Sequence, residues 1–379
     1  MAGKSILIVG AGFAGAVYAR VLAEAGWDVQ VIDRRPHIGG NAFDEVVASG
    51  VRVHRYGPHL FHTNNEMVVA WLRRFGKFVP YEHRVRARLP DGRHVPLPVN
   101  RQTVNAVFGT NLLTPDAVAR FLRTQAEDIA SPANAAEYLN SRIGRVLTDL
   151  FFRPYTKKMW GRDLEAMDAD VVRRVAIRDD DEDRYFPTDA FQFMPEDGYT
   201  AIFAAIFDHP RIRVATSAEF VKSMLASHAH CFNSMPIDEY FDEVFGPLPY
   251  RSLRFHHRDV PRARRSAAAS INFTDNGPFT RETDWSLLPH HVVTPGTEKT
   301  LTTEEPCDPR DNAMERYYPV KTSDGGSASL FARYRALAER EKTVTFIGRC
   351  GTYQYLDMHQ VINQSLTGAR RWIRERGHG

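Results

Sequence analysis

Cysteine is scarce in this chain of 379 residues: Cys231, Cys307 and Cys350 are the three present, scattered and without a Cys-x-x-Cys pair. Neither a disulfide framework nor a thiolate zinc site is suggested, and ordinary reduced thiols are expected. An excess of charge of one sign is lacking too. With 49 Lys and Arg against 46 Asp and Glu, the net charge of +3 gives no reason to expect a nucleic-acid partner, and any anion must be met locally. No apolar run approaches the roughly 18 residues of a membrane span. The opening Met1-Ala2-Gly3-Lys4 passes at once into an apolar strand and leaves no room for an export signal, so a cytoplasmic location is expected. Internal repeats and low-complexity tracts are absent, and only Thr322–Ser327 reads as a soft loop. With 43% hydrophobic and 25% charged residues, the composition is that of an ordinary globular protein. Single cores stop growing at about 250–300 residues, so more than one domain is expected.

What is present begins with a compact β-turn-α-β unit. Residues 5–10 read as a buried strand, Gly15–Gly26 as a helix and Asp28–Asp33 as a second strand, an order that implies a parallel sheet. At the first turn stands Gly10-Ala11-Gly12-Phe13-Ala14-Gly15. Gly10 permits the tight turn, Gly12 lets backbone approach a pyrophosphate, and Gly15 packs helix against strand, while the helix start offers unpaired N–H groups to phosphates. Asp33 would accept hydrogen bonds from the ribose hydroxyls of an adenosine. A glycine triplet alone is weak; its place between strand and helix, with an acid closing the next strand, makes it a dinucleotide site. The continuation Asp33-Arg34-Arg35-Pro36-His37-Ile38-Gly39-Gly40-Asn41 favours FAD over NAD, because its second glycine pair brings backbone close to a cofactor running on past the pyrophosphate. Arg34 could face the adenine or a 2′-phosphate, which keeps NADP as an alternative.

Further along, Met67–Phe75, Pro115–Ala126 and Ala135–Phe151 carry apolar residues at helical spacing. Residues 80–100 alternate around an Asp91-Gly92 turn and read as a β-hairpin. The alternating segments Ser266–Phe273 and His291–Thr302 are expected to join that hairpin in a mostly antiparallel sheet. The strand Thr343–Gly348 and the amphipathic helix Leu356–Arg376 return to the first domain.

The segments His37–Asn41, Tyr56-Gly57-Pro58-His59-Leu60-Phe61-His62-Thr63, Pro154–Trp160, Met235–Phe241, Leu248–Phe255, Tyr317-Tyr318-Pro319 and Gly348–His359 stand in an order and at a spacing that resemble bacterial UDP-galactopyranose mutase from end to end. The resemblance implies an α/β fold in which a Rossmann-type FAD-binding domain carries an inserted helical domain and an antiparallel β-sheet domain. The division is expected as FAD domain 1–78, sheet hairpin 79–100, helical domain 101–150, sheet and cleft 151–195, FAD domain 196–245, sheet domain 246–320 and FAD domain 321–379. It also implies an isomerase: reduced flavin N5 attacks the anomeric carbon of a nucleotide-diphosphate sugar, an adduct forms, and the ring recloses through another hydroxyl with no net redox change. An outside reductant such as NAD(P)H keeps the flavin reduced, and the family suggests a homodimer.

Residue by residue, Arg174, 14 residues beyond Trp160, and Arg281 match the family's catalytic arginines, whose planar forks suit a diphosphate leaving group. Arg178 is the alternative to Arg174. Tyr155, Tyr185, Tyr318 and Tyr355 match tyrosines of the phosphate and sugar pocket, and Trp160 matches its wall; as bare sequence each would be core packing. His59 and His62 match residues beside the flavin ring, where they would tune its catalysis; as His-x-x-His they would be metal ligands only with a third partner. Arg349 resembles the arginine facing the flavin. Tyr355, Asp357 and Met358 form the turn and helix start beneath the ring, where Asp357 could be a plain N-cap. The cofactor set is thus Gly10, Gly12, Phe13, Ala14, Gly15, Asp33, Arg34, Gly40, Asn41, His59, Arg349, Tyr355, Asp357 and Met358.

The chain departs from the family at Asp179-Asp180-Asp181-Glu182-Asp183, which reads as a solvated acidic loop, a divalent-cation site bridging to the diphosphate, or an intersubunit ion pair. It departs also at Asn233–Met235, and departures at Met194–Gly198 and 282–316, where relatives shape the nucleotide and sugar pocket, leave base and sugar open, with GDP or another nucleotide in place of UDP and a hexose other than galactose as alternatives. An FAD oxidoreductase of the amine-oxidase kind and a non-catalytic flavin protein remain the competing readings.

Overall fold

The strand Ser5–Val9 is buried at every position but its first, as a strand with neighbours on both edges and helices on both faces must be. It lies central in a five-stranded sheet ordered Ile212–Ala215, Asp28–Ile32, Ser5–Val9, His230–Asn233 and Val344–Phe346, with all pairings parallel. The structure, a computed structural model, describes residues 5–173, 176–321 and 324–376. From Ser5–Val9 the chain goes first to one neighbour and later to the other, so the strand order reverses at Gly10, where ligands of open α/β sheets bind. The helix Phe13–Glu24 packs between this sheet and the C-terminal helix Met358–Arg376. The latter buries Val361, Ile362, Leu366, Ala369 and Trp372 at three- and four-residue steps.

A second sheet of seven strands runs Tyr318–Pro319, Tyr250–Pro261, Glu298–Cys307, Arg281–Asp284, Ser270–Phe273, Val85–Arg88 and His94–Leu97. It is antiparallel except where Ser270–Phe273 meets Val85–Arg88, so the 80–100 hairpin does join the later strands. The expected strands shift in detail. Only 270–273 of the first alternating segment is extended, and the second begins at Glu298 and runs to Cys307, because His290 at φ +59° and the Pro295-Gly296 pair hold the preceding stretch as a loop.

The helices Arg101–Phe108, Pro115–Gln125 and Ala135–Leu147 surround a separate apolar core of Val104, Val118, Leu122, Leu139, Ile143 and Leu147. Asn100, Thr114 and Asn134 cap them, each side chain accepting from the N–H three residues on. The single helix expected over 135–151 is broken: Gly144 is non-helical and Thr148–Phe152 form a π-turn that delivers Phe151 and Phe152 to the cavity described below. Among the described residues no helix is long and apolar enough to cross a membrane.

One buried polar chain underlies the His59 segment. The His59 N–H donates to His54 Nδ1 (3.0 Å), so the His54 proton sits on Nε2 and is donated to His291 Nε2 (3.1 Å), and His291 Nδ1 donates in turn to the Pro289 carbonyl (2.8 Å). Both rings are fully buried, and burial pushes His54 well below the usual imidazole range and His291 down to about 4. The unfolded chain therefore binds more protons than the folded one between about pH 6.5 and 4. Stability is fully present above that window and is lost as pH falls through it, on the order of 3 kcal/mol for His291. Urea midpoints of wild type and His291→Gln are expected to differ clearly at about pH 7.5 and to converge at about pH 4.5. A gap independent of pH would show that the pair is not buried neutral.

Candidate active site

The Gly10–Gly15 turn opens into a cavity of about 750 Å³ that runs from the parallel sheet to the antiparallel sheet and the helix Arg153–Trp160. Of the described residues matched to the family's cofactor and substrate sites, all line it except Gly15. Gly15 packs instead: a Cβ there would stand 1.9 Å from the Gly10 carbonyl oxygen. Arg174 lies outside the described residues.

At the glycine end, the helix begins at Gly12 with no side-chain cap, which leaves its first N–H groups to a ligand. A Cβ on Gly40 would be 2.9 Å from Gly12 Cα, so the two glycine turns touch and form one narrow cradle. Asp33 accepts from the N–H groups of Ala11 (2.7 Å) and Arg35 (2.9 Å), which fixes its carboxylate at the end of its strand. Arg35 also donates to Asn41 (2.9 Å). Arg34 sits between Glu239 (3.8 Å) and Glu315 (3.6 Å). Those acids would repel a 2′-phosphate, which counts against NADP.

In the middle, His59 is half-buried and its Nδ1 donates to the Gly57 carbonyl (2.9 Å); the surrounding protein pushes it down to about 4, so the ring is neutral. His62 stacks on Phe186 with ring centres 3.5 Å apart, and its Nδ1 meets Asp189 (2.5 Å). His59 and His62 do not form a metal pair. Among the described residues the ligand-type atoms that do cluster are those of His62, Asp357 and His359, within 4.8 Å of one another. Arg349 donates to the Tyr317 carbonyl (2.7 Å) and lies over the Tyr318 and Tyr355 rings, while its Nε is buried without a partner among the described residues. Asp357 directly precedes the helix Met358–Arg376 and lines the cavity, and its N–H donates to Gln360 Oε1 (2.9 Å).

At the far end, strand register aligns Asn272, Arg281 and Glu304 in one row. Arg281 Nε donates to Asn272 Oδ1 (3.1 Å) and its Nη1 lies 3.6 Å from Glu304. Burial opposes the Arg281 charge, but Glu304 and the tyrosines Tyr155, Tyr185 and Tyr318 outweigh it and raise its pKa. Burial pushes the Tyr155 phenol up to about 12, so it remains a donor. Tyr318 and Tyr355 stack, and Trp160 meets Tyr318 edge-on. Lys158, on the same helix as Tyr155 and Trp160, donates to the carbonyls of Phe273 (3.0 Å), Asp275 (2.8 Å) and Phe279 (2.9 Å), the turn that links Asn272 to Arg281. A fixed guanidinium ringed by phenol donors is suited to a diphosphate.

One expectation is corrected, and the acidic run, exposed at Asp179, Asp180 and Asp181, keeps its reading as a loop open to solvent. Arg178 does not stand in for Arg174: its Nη1 donates to the carbonyls of Glu182 (2.9 Å) and Arg184 (2.7 Å) and it does not line the cavity. The acidic run faces arginines of its own chain, with Asp183 on Arg84 and Arg86, Asp181 on Arg101 and Glu182 on Arg184, and none of the three lines the cavity. Replacing Asp181 and Asp183 by Asn is expected to leave KM within about twofold with or without Mg²⁺ and to lower the urea midpoint modestly, since exposed pairs contribute about 0–1 kcal/mol each. A KM that rises only in the presence of Mg²⁺ would return the cation-site reading.

Glu304, Asn272, His83 and Phe186 were not expected from sequence. Asn272 and Glu304 lie far from the recognised segments and strand register alone brings them in, His83 lies just before the hairpin strand Val85–Arg88, and Phe186 follows the recognised Tyr185 and enters by stacking on His62. The single available signal for Glu304 was a carboxylate at the end of the threonine-rich run Lys299–Thr303.

A family described as UDP-galactopyranose mutase matches residues 150–355, and one described as an NAD(P)-binding Rossmann-like domain matches residues 8–75. The chain is 36% identical to the "Probable UDP-galactopyranose mutase" of Klebsiella pneumoniae over 98% of its length and 96% of that protein. It is 35% identical to the dTDP-fucopyranose mutase of Escherichia coli, over 98% and 99% of the two chains. The fold is similar to a crystal structure of reduced UDP-galactopyranose mutase, with a TM-score of 0.74 at 17% identity over 100% and 95% of the chains.

Proposed function

Given that the chain belongs to the UDP-galactopyranose mutase family, we propose that Arg281 and the surrounding tyrosines bind the diphosphate of a nucleotide sugar whose ring is interconverted between pyranose and furanose without net redox change. The observation that carries this reading is the row Asn272–Arg281–Glu304 with Tyr155, Tyr318 and Tyr355 at one end of a cavity whose other end is a dinucleotide cradle.

The cradle fits FAD: the touching glycine turns would be filled by any Cβ, the helix start is uncapped, and the Arg349 Nε has no protein partner among the described residues. Gly10, Gly12, Phe13, Ala14, Asp33, Gly40 and Asn41 would hold the adenosine and pyrophosphate part, and His59, Arg349, Tyr355, Asp357 and Met358 the ring. Reduced FAD would supply a nucleophile for the anomeric carbon when bound, and a donor such as NAD(P)H would keep it in the reduced form.

The protein's own groups act on the leaving diphosphate. Arg281 neutralises it, Arg174 is its proposed second cation, and the phenols of Tyr155, Tyr185, Tyr318 and Tyr355 donate to its oxygens. Trp160, Phe151 and Phe152 wall the pocket and exclude water. An amine substrate would meet the fixed Arg281 charge, which disfavours the oxidase reading. The names of the relatives put UDP-galactose and dTDP-fucose first among the substrates to try. A homodimer working in the cytoplasm is the assembly we propose.

Dithionite-reduced protein incubated with UDP-galactofuranose, dTDP-fucose and GDP-hexoses is expected to interconvert ring forms of at least one, followed by chromatography. Flavin reoxidation in proportion to substrate, without isomerisation, would overturn the mutase reading in favour of the oxidoreductase.

A further inference from the structure

Glu304 stands directly across from Arg281 in the sheet, 6% exposed, and lines the cavity. Its Oε1, 3.6 Å from Arg281 Nη1, is beyond hydrogen-bond distance and has no hydrogen-bond partner among the described residues. A Cβ on Gly57 would stand 3.4 Å from that oxygen, so Oε1 faces the segment that carries His59. A buried carboxylate oxygen without a hydrogen bond is costly even beside a guanidinium, and such an atom in a cavity calls for a ligand.

The other displaced groups around the cavity are poorly matched to exchanging protons near neutral pH. Burial pushes Tyr155 up to about 12 and Tyr318 further still, and pushes His59 down to about 4 and His83 down to about 3. Glu304 moves toward neutrality, since burial raises it against the opposing Arg281 charge. A diphosphate docked on Arg281 would offset that opposing charge and raise it further.

Ring interconversion makes two proton demands on its surroundings. When the hexose ring opens, the electron pair of the carbon–oxygen bond stays on the ring oxygen, which needs a proton. When a different hydroxyl closes the ring, its lone pair forms the new bond and it must lose one. We propose that Glu304 is a catalytic residue that gives its carboxyl proton to the ring oxygen on opening and takes the proton of the closing hydroxyl. One O–H bond breaks as another forms in each half, the carboxyl ends as it began, and no electrons are exchanged with the protein. The inference rests on the nucleotide-sugar mutase reading above.

The test uses the dithionite-reduced holoenzyme as wild type, Glu304→Gln and Glu304→Asp. Initial interconversion rates are measured from about pH 5.5 to 9, and UDP binding is measured by calorimetry in two buffers of different ionisation enthalpy. We expect Glu304→Gln to lose at least about 100-fold in kcat with UDP affinity within about threefold, and Glu304→Asp to recover part of the rate with its pH limb moved. UDP binding should draw a proton onto wild type and not onto Glu304→Gln. A Glu304→Gln rate within about fivefold of wild type would overturn the proposal. So would unchanged proton uptake on UDP binding, or a loss of UDP affinity parallel to the loss of rate, which would make Glu304 only a brace for Arg281. If wild type isomerises none of the sugar nucleotides, the mutase reading itself fails, and that result is separate because the proton uptake needs no turnover.

Discussion

Gly15→Ala is expected to purify almost free of flavin, with a thermal midpoint well below wild type. The added Cβ would lie 1.9 Å from the Gly10 oxygen and 2.9 Å from Ile8 Cγ2, and the first of these is backbone that cannot rotate away. The helix Phe13–Glu24 must lift off the strand Ser5–Val9, which carries its first N–H groups away from the phosphates. Overpacking of a core commonly costs about 1–3 kcal/mol, and a contact with rigid backbone belongs at or above the upper end. Gly12→Ala is the contrast. Its Cβ would meet Gly40 Cα at 3.6 Å, an ordinary contact, but it would occupy the cradle. That variant should keep its thermal midpoint as apoprotein and still lose flavin. The ratio of flavin to protein absorbance, read beside circular-dichroism melting of the apoproteins, separates the two. Stoichiometric flavin and an unchanged midpoint in Gly15→Ala would refute the close approach of helix and strand.

Arg281→Ala should lower kcat by about a thousandfold or more, the scale on which arginines act in phosphate transfer, with flavin content unchanged. The variant loses the charge proposed to meet the leaving diphosphate. It also leaves Glu304 without the cation that holds its proton affinity down, so Glu304 should become a neutral acid. That neutralisation limits the damage to stability, which we expect to stay within a few kcal/mol rather than reach unfolding. Arg281→Lys restores the charge but not the fork. It should recover UDP binding better than turnover, since two-point contact with the developing charge is what is lost. Single-turnover rates of the reduced enzyme and calorimetry with UDP measure both. A rate within tenfold of wild type for Arg281→Ala would remove Arg281 from the chemistry.

These two variants sit at opposite ends of what could be read before the fold was known. Gly10 to Asp33 is one local unit in which strand period, glycine spacing and the closing acid agree, so turn, helix and cradle were legible residue by residue. The far end was legible only through resemblance. Arg281 stood out through its match to the family, yet its partners Asn272 and Glu304 lie on two other strands, and register rather than spacing makes them neighbours. The same holds for the acidic run: as a string it could have been a cation site, and only the hairpin arginines Arg84 and Arg86 and the helix residue Arg101 show where its charge goes. The strand limit at 298 was missed because alternation continues through a loop whose backbone is set by Pro295-Gly296 and by the His290 turn.

The three carbonyls gathered by the Lys158 ammonium bear on how substrate enters and leaves. Lys158 rides on the helix that carries Tyr155 and Trp160, and the turn it grips leads straight into Arg281. Phenols and guanidinium are therefore fastened to each other, and the Arg281 end of the cavity cannot widen by sliding the helix over the sheet without parting with an ammonium on three acceptors. Breathing that admits a nucleotide sugar has to come from elsewhere around the rim. Loosening this fastening, as in Lys158→Met, should shorten the residence time of UDP by speeding its dissociation, a change that stopped-flow displacement would register even where the equilibrium shape of the pocket is preserved.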